Sequence, residues 1–158
     1  MHRICIVVAL VCFAAATAGA QTKVSWTLQC GKPDPHHVIP VGDSPDHSLG
    51  LLQVKCTYTK PLEIEGAKSA DDVITITNEV SGDAVRARGC HVVTMDSGDK
   101  VFISHQGAGT SGDGASAGQK GTWGFTGGSG KLKGIKGKGT YTCSPSGCDV
   151  EGEYQLAK

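Results

Sequence analysis

The chain predicts an all-β fold: a single closed antiparallel eight-stranded β-barrel with meander topology. Three observations carry that prediction. Apolar and polar residues alternate with period two along residues 21–158, no long apolar stretch follows a 3.6-residue period, and glycine-containing turns separate the alternating runs. A hydrophobic content of 39% is enough for a folded core. Equal numbers of basic and acidic residues, 15 of each, leave no whole-molecule electrostatic footprint for nucleic acid or an anionic membrane.

Residues 1–20 read as a secretory signal peptide and 21–158 as the barrel domain. Met1-His2-Arg3 is a basic start, residues 4–16 form an apolar run, and Ala18-Gly19-Ala20 is a small-residue cleavage site. The run is short for a spanning helix, and Val11 before Cys12 does not suit a lipoprotein anchor, so no stable membrane anchor is expected. Cleavage leaves 138 residues with 14 basic and 15 acidic side chains, a formal charge of −1. The expected location is secreted or periplasmic.

The strands follow in order. Val24, Trp26, Leu28 and Cys30 make the first apolar stripe; Leu52, Val54, Cys56 and Tyr58 make the second. Ile74 and Ile76 mark a third strand, Val85, Ala87, Val93 and Met95 a fourth, and Val101 and Ile103 a fifth. Trp123 and Phe125, residues 135–143, and then Val150, Tyr154 and Leu156 complete about eight. Ser-Gly-Asp recurs at 81–83, 97–99 and 111–113, where glycine can turn the chain at positive φ. For the second of these, a three-residue loop 96–98 with Gly98 as a left-handed bulge residue sets Val93 opposite Val101; a two-residue loop would misalign the two stripes. Strands of this number in so short a chain must remove their edges by closing or by packing as a sandwich. Between residues 135 and 143, one face carries Gly137, Gly139, Tyr141 and Cys143 and the other Lys136, Lys138, Thr140 and Thr142. A mostly small inner face suits a tightly coiled barrel strand.

Five cysteines remain after cleavage, so at least one thiol is unpaired in an oxidising compartment. Cys143 and Cys148 bracket the turn sequence Ser-Pro-Ser-Gly and are the first candidates for a disulfide; Cys30 and Cys56 are the second.

The C-terminal half resembles a known group. The segment WGFTGGSGKLKGIKGKGTY at 123–141, followed by EGEY at 151–154, is similar to secreted bacterial proteins of the allene oxide cyclase barrel-like group, which are calycin-like and dirigent-related. Ser129 stands in the group's usual Thr place and Leu132 in its usual aromatic place. The likeness covers 98–156 well and the first half only in general pattern. It implies an eight-stranded barrel with a hydrophobic interior able to hold a small ligand, and it transfers no catalytic residue.

Other motifs have plainer readings. Residues 107–112 spell G-x-G-x-x-G, but no helix follows to meet a pyrophosphate, so the segment reads as an interstrand loop and no cofactor is implied. Lys131, Lys133, Lys136 and Lys138 lack interleaved aromatics and read as an exposed strand face, with no nucleic-acid partner. Residues 31–47 hold four of the six prolines with His36, His37 and His47, and read as a long loop, a lid over one barrel mouth; the three histidines are weak metal candidates. His91 and His105 face the apolar side of neighbouring strands, diagonally apart, where imidazoles orient a ligand or move a proton. With Trp26 and Tyr141 they are the candidate ligand contacts. Three functions stand open: an interior site for a small apolar molecule, an isomerase or cyclase acting on a lipid-like substrate, and a structural barrel filled by its own side chains. Binding is the first choice over catalysis.

Overall fold

The computed structural model describes residues 21–110 and 118–156; residues 1–20, for which a signal peptide is expected, and the third Ser-Gly-Asp sequence lie outside the described residues. Among the described residues there are ten strands: β1 (Thr22–Cys30), β2 (His36–Pro40), β3 (His47–Lys60), β4 (Glu63–Ile64), β5 (Ala67–Ser81), β6 (Ala84–Met95), β7 (Lys100–Thr110), β8 (Lys120–Gly128), β9 (Lys136–Ser144) and β10 (Gly147–Gln155). A 3-10 turn, Gly130–Leu132, lies between β8 and β9. Leaving aside the short β2 and β4, each strand pairs antiparallel with the next, and β10 returns to β1. The result is the closed eight-stranded meander that the alternation predicts, with no free edge around the barrel itself.

Registers follow the inner stripes. Val93 lies opposite Val101, Gly98 has φ of 85°, and the amide of Gly98 donates to the carbonyl of Met95, as the three-residue loop requires. The turn at 81–83 is tighter, with Ser81 opposite Ala84 and Gly82 at φ of 57°. One end of the barrel is shut by Leu62, Ile64, Met95, Leu132 and Ile135, all nearly inaccessible. Lys136, Lys138, Thr140 and Thr142 are exposed while Tyr141 and Cys143 are buried, as alternation demands.

Two sequence readings are corrected here. Residues 31–47 are not one loop: β2 pairs with the first half of the β3 edge whose second half pairs with β1, so β1 and β2 run end to end along β3. Residues 31–35 form the break between β1 and β2, tied to β3 through Gly31, Asp34 and Pro35, and 41–46 form the turn from β2 to β3. Every residue of β2 is exposed, so the strand carries no apolar alternation to betray it. Secondly, residues 107–110 belong to β7 and not to an interstrand loop; Gly107 and Gly109 face inward, where the Tyr141 side chain of β9 and the Lys120 carbonyl crowd Gly107 and Gln119, just before β8, crowds Gly109.

Candidate functional site

The interior is not filled by side chains. Opposite the sealed end lies a cavity of about 640 Å3, walled by apolar residues such as Leu52, Val54, Ile74 and Ile103. That volume is within the range of small-molecule sites. Its mouth is framed by the break after β1, at Gly31, Lys32 and Pro33, and by the β9–β10 hairpin. Disulfides Cys30–Cys56 and Cys143–Cys148 each link directly opposed residues of neighbouring strands at this rim, and Cys90 is free and exposed on the outer face. They staple the strands where the hydrophobic floor gives no support.

Glycines make room for the interior aromatics. A Cβ on Gly139 would come within 2.7 Å of the Trp123 indole nitrogen, and one on Gly152 within 2.6 Å of its ring. Trp123 thereby sits against Trp26 at 4.8 Å, edge to face, and against Phe125 at 5.1 Å. Tyr141 lies across two more bare positions: a Cβ on Gly121 would be 2.7 Å from its ring, and one on Gly107 would overlap its hydroxyl. On Gly89 a Cβ would overlap the ring of His105. Small residues on the inner face therefore serve large side chains projecting from neighbouring strands.

A polar chain climbs one wall. Asp72 on β5 is 1% exposed; its Oδ2 accepts from the Tyr58 hydroxyl at 3.2 Å and from His91 Nδ1 at 2.9 Å. His91 Nε2 then meets His105 Nδ1 at 2.8 Å. In register terms Asp72 is opposite Val93, His91 opposite Ile103 and His105 opposite Gly89, so each link is a diagonal step across neighbouring strands. His105 in turn packs edge-on to Tyr141 at 5.7 Å between ring centres. Burial, and secondarily the charge of His91, push the His105 imidazole down to about 4, so it is neutral at neutral pH. Burial pushes the Tyr141 hydroxyl up, and burial followed by the Asp72 charge pushes up that of Tyr58, so both stay protonated. Asp72 Oδ1 and the Tyr141 hydroxyl are buried without a partner among the described residues.

A carboxylate only accepts, so His91 Nδ1 carries a hydrogen. When neither ring carries a charge, His105 Nδ1–H donates to His91 Nε2 and His105 Nε2 is left with a lone pair; a protonated His91 would instead donate from Nε2 to His105 Nδ1. No described residue bonds to that nitrogen, and His105 lines the cavity.

Of the residues singled out in the sequence, Trp26, His91, His105 and Tyr141 all line this one cavity. His36 and His37 occupy successive positions of β2 and so point to opposite faces. His47 is held away from them by Asp43 at 2.7 Å and Glu79 at 3.1 Å, using both ring nitrogens. Among the described residues no group of three His, Cys, Asp or Glu side chains is placed to hold a metal ion. Sequence reasoning passed over Asp72, although it is in phase with Ile74 and Ile76 and alternation alone turns it inward.

The fold and its interior define a closed calycin-like barrel, of the shape shared by allene oxide cyclase-like folds, with a cavity compatible with a ligand. Among solved structures it is similar to a protein of unknown function of the DUF3224 family from Shewanella oneidensis MR-1, with a TM-score of 0.56 and 17% identity over 88% of this chain and 99% of that one. At that identity the likeness is one of fold alone. No family model matches the chain, and no curated protein matches it.

Proposed function

We propose that this chain is a secreted or periplasmic barrel that binds a small, largely apolar molecule inside its cavity. The carrying observation is the open interior: walls that are largely apolar, with the His91–His105 pair among the polar lining and a His105 nitrogen that no described residue bonds. A structural barrel filled by its own side chains would leave no such space. Two disulfides and the basic-apolar-small pattern of residues 1–20 support export to an oxidising compartment with the mature chain beginning at Gln21. The segment at 123–141 and the barrel shape together support kinship with the allene oxide cyclase barrel-like group. No helix among the described residues is long and apolar enough to cross a membrane.

The test is to purify the protein from its native compartment and weigh it intact under native conditions. A mass beginning at Gln21, with one small molecule per chain that is lost on denaturation, is the expected result. A protein recovered empty, and still empty after exposure to lipid and aromatic extracts, would overturn the binding proposal.

A further inference from the structure

We infer that the Asp72–His91–His105 chain is a proton-transfer site, and that the bound molecule is an enolisable carbonyl compound whose C–H proton His105 removes and returns. This inference rests on the reading that the interior admits a ligand, and it goes beyond that reading by giving the site a reaction.

Geometry carries the inference. Imidazole nitrogens point in roughly opposite directions from the ring, so with His105 Nδ1 held by His91 its Nε2 faces away, along the β6–β7 ladder toward the next inner pair, Ala87 and Gly107. Ala87 lines the cavity, and the Tyr141 hydroxyl lies against Gly107. The ordering from behind is continuous: Tyr58 and His91 both bond Oδ2 of a carboxylate that is otherwise sealed from solvent. Such a chain gives a neutral histidine a defined tautomer, lone pair outward, and gives the proton it collects somewhere to go.

The reaction balances without a co-reactant. His105 Nε2 takes a proton from the carbon next to a carbonyl; the C–H electron pair forms a carbon–carbon double bond and the carbonyl π pair moves to oxygen. As Nε2 gains its hydrogen, the Nδ1 hydrogen passes to His91 Nε2. The positive charge then rests on His91, 2.9 Å from the Asp72 carboxylate, and not on the ring that touches substrate. Returning the proton to a different carbon of the conjugated system shifts the double bond, and returning it to the same carbon exchanges its hydrogen. The product in the first case is an isomer, and nothing is oxidised or reduced.

The carbonyl is specified by chemistry. An imidazole is too weak a base for an unactivated C–H bond, and in an apolar cavity only an acid whose negative charge settles on oxygen is within its reach. Tyr141, the buried hydroxyl without a partner, is the donor beside His105 for that oxygen. Its hydroxyl is covered against Gly107, so contact with a substrate oxygen requires the ring to tilt away from that glycine. His105 and Tyr141 are thus the catalytic residues; Asp72 and His91 are positioning residues that fix the tautomer and hold the charge.

The experiment uses the disulfide-bonded mature protein and a nine-carbon methyl ketone with a β,γ double bond. Conversion to the conjugated ketone is followed by its ultraviolet absorbance, and exchange of the α hydrogens in heavy water by mass spectrometry. Binding is read separately from tryptophan fluorescence. Turnover above the buffer rate is expected, lost by about 10²–10⁴-fold in His105→Gln with binding retained. Tyr141→Phe should lower kcat by about 10²-fold with little change in KM. Asp72→Asn should lower kcat and shift its pH profile, with partial recovery in Asp72→Glu. If the wild type binds the ketone but neither isomerises nor exchanges it, or if His105→Gln turns over like the wild type, the proton-transfer inference fails and the binding proposal stands. Failure to bind the ketone or any other apolar probe sinks both.

Discussion

A change of His105 to Gln should flatten the acid side of the stability profile. In the folded chain burial and His91 push the imidazole from 6.5 down to about 4, whereas in the unfolded chain it keeps its ordinary value. Above the unfolded value both states hold the ring neutral and it contributes no pH dependence. As pH falls below that value the unfolded chain takes up a proton that the folded chain refuses until about pH 4, so stability is lost through this window and the loss then levels off. Between about pH 7 and about pH 4 the linkage amounts to about 3 kcal/mol. Gln cannot titrate, yet its amide can still donate to His91 Nε2, so the hydrogen bond survives while the proton does not. Urea unfolding of both proteins with disulfides intact measures the difference. The wild-type midpoint should fall by about 1 to 3 M more than that of the variant over the same pH range. Parallel pH dependences would refute the reasoning, because they would mean that the ring charges in the folded barrel or is already exposed to solvent.

Tyr141→Phe should leave the empty barrel as stable as the wild type or more stable by about 1 kcal/mol, because it removes a buried hydroxyl without a partner; a loss of similar size by urea unfolding would show that the hydroxyl is satisfied. Replacing Cys30 and Cys56 by Ser should cost about 3 to 4 kcal/mol, against about 2 for Cys143 and Cys148, because the first bridge spans 26 residues of sequence and the second 5. Equal losses in the two double variants would contradict that order. His47 is raised by its hydrogen bonds to Asp43 and then Glu79, so its bracing of the β2–β3 hairpin is fully present below the ordinary histidine value and is lost as pH rises through the elevated one. Protection of the Val41 amide, which donates to the His47 carbonyl, should therefore decline toward alkaline pH in the wild type and change less in His47→Gln by hydrogen exchange.

Much of the barrel was legible because alternation and turn chemistry act locally. Val93 and Val101 could be set opposite one another from the glycine of a single loop, and the small face of β9 could be assigned inward from Gly137 and Gly139. Strand β2 was not legible, since an exposed edge strand between prolines has no buried side to impose a pattern. The site was legible in part. His91 and His105 fall on one face by parity, but their hydrogen bond depends on Gly89 leaving space for the second ring, which is a property of three neighbouring positions and not of either histidine. Asp72 lies at the end of an apolar stripe and is easily read as a strand end; the unbroken register from the Ser81–Ala84 turn sets it opposite Val93 and diagonal to His91, and no local sequence signal announces that meeting. Which aromatic fills which glycine gap is likewise long-range, as Trp123 over Gly139 and Gly152 illustrates.

The chain has two tryptophans, and both Trp26 and Trp123 line the cavity. A fluorescence titration of the protein with fatty acids, terpenoids and aromatic ketones therefore reports directly on entry into the barrel. A saturable change at one molecule per chain is expected for at least one of these, with binding retained in His105→Gln. Fluorescence that stays unchanged with every probe, in a protein whose far-ultraviolet spectrum shows the barrel intact, would contradict it.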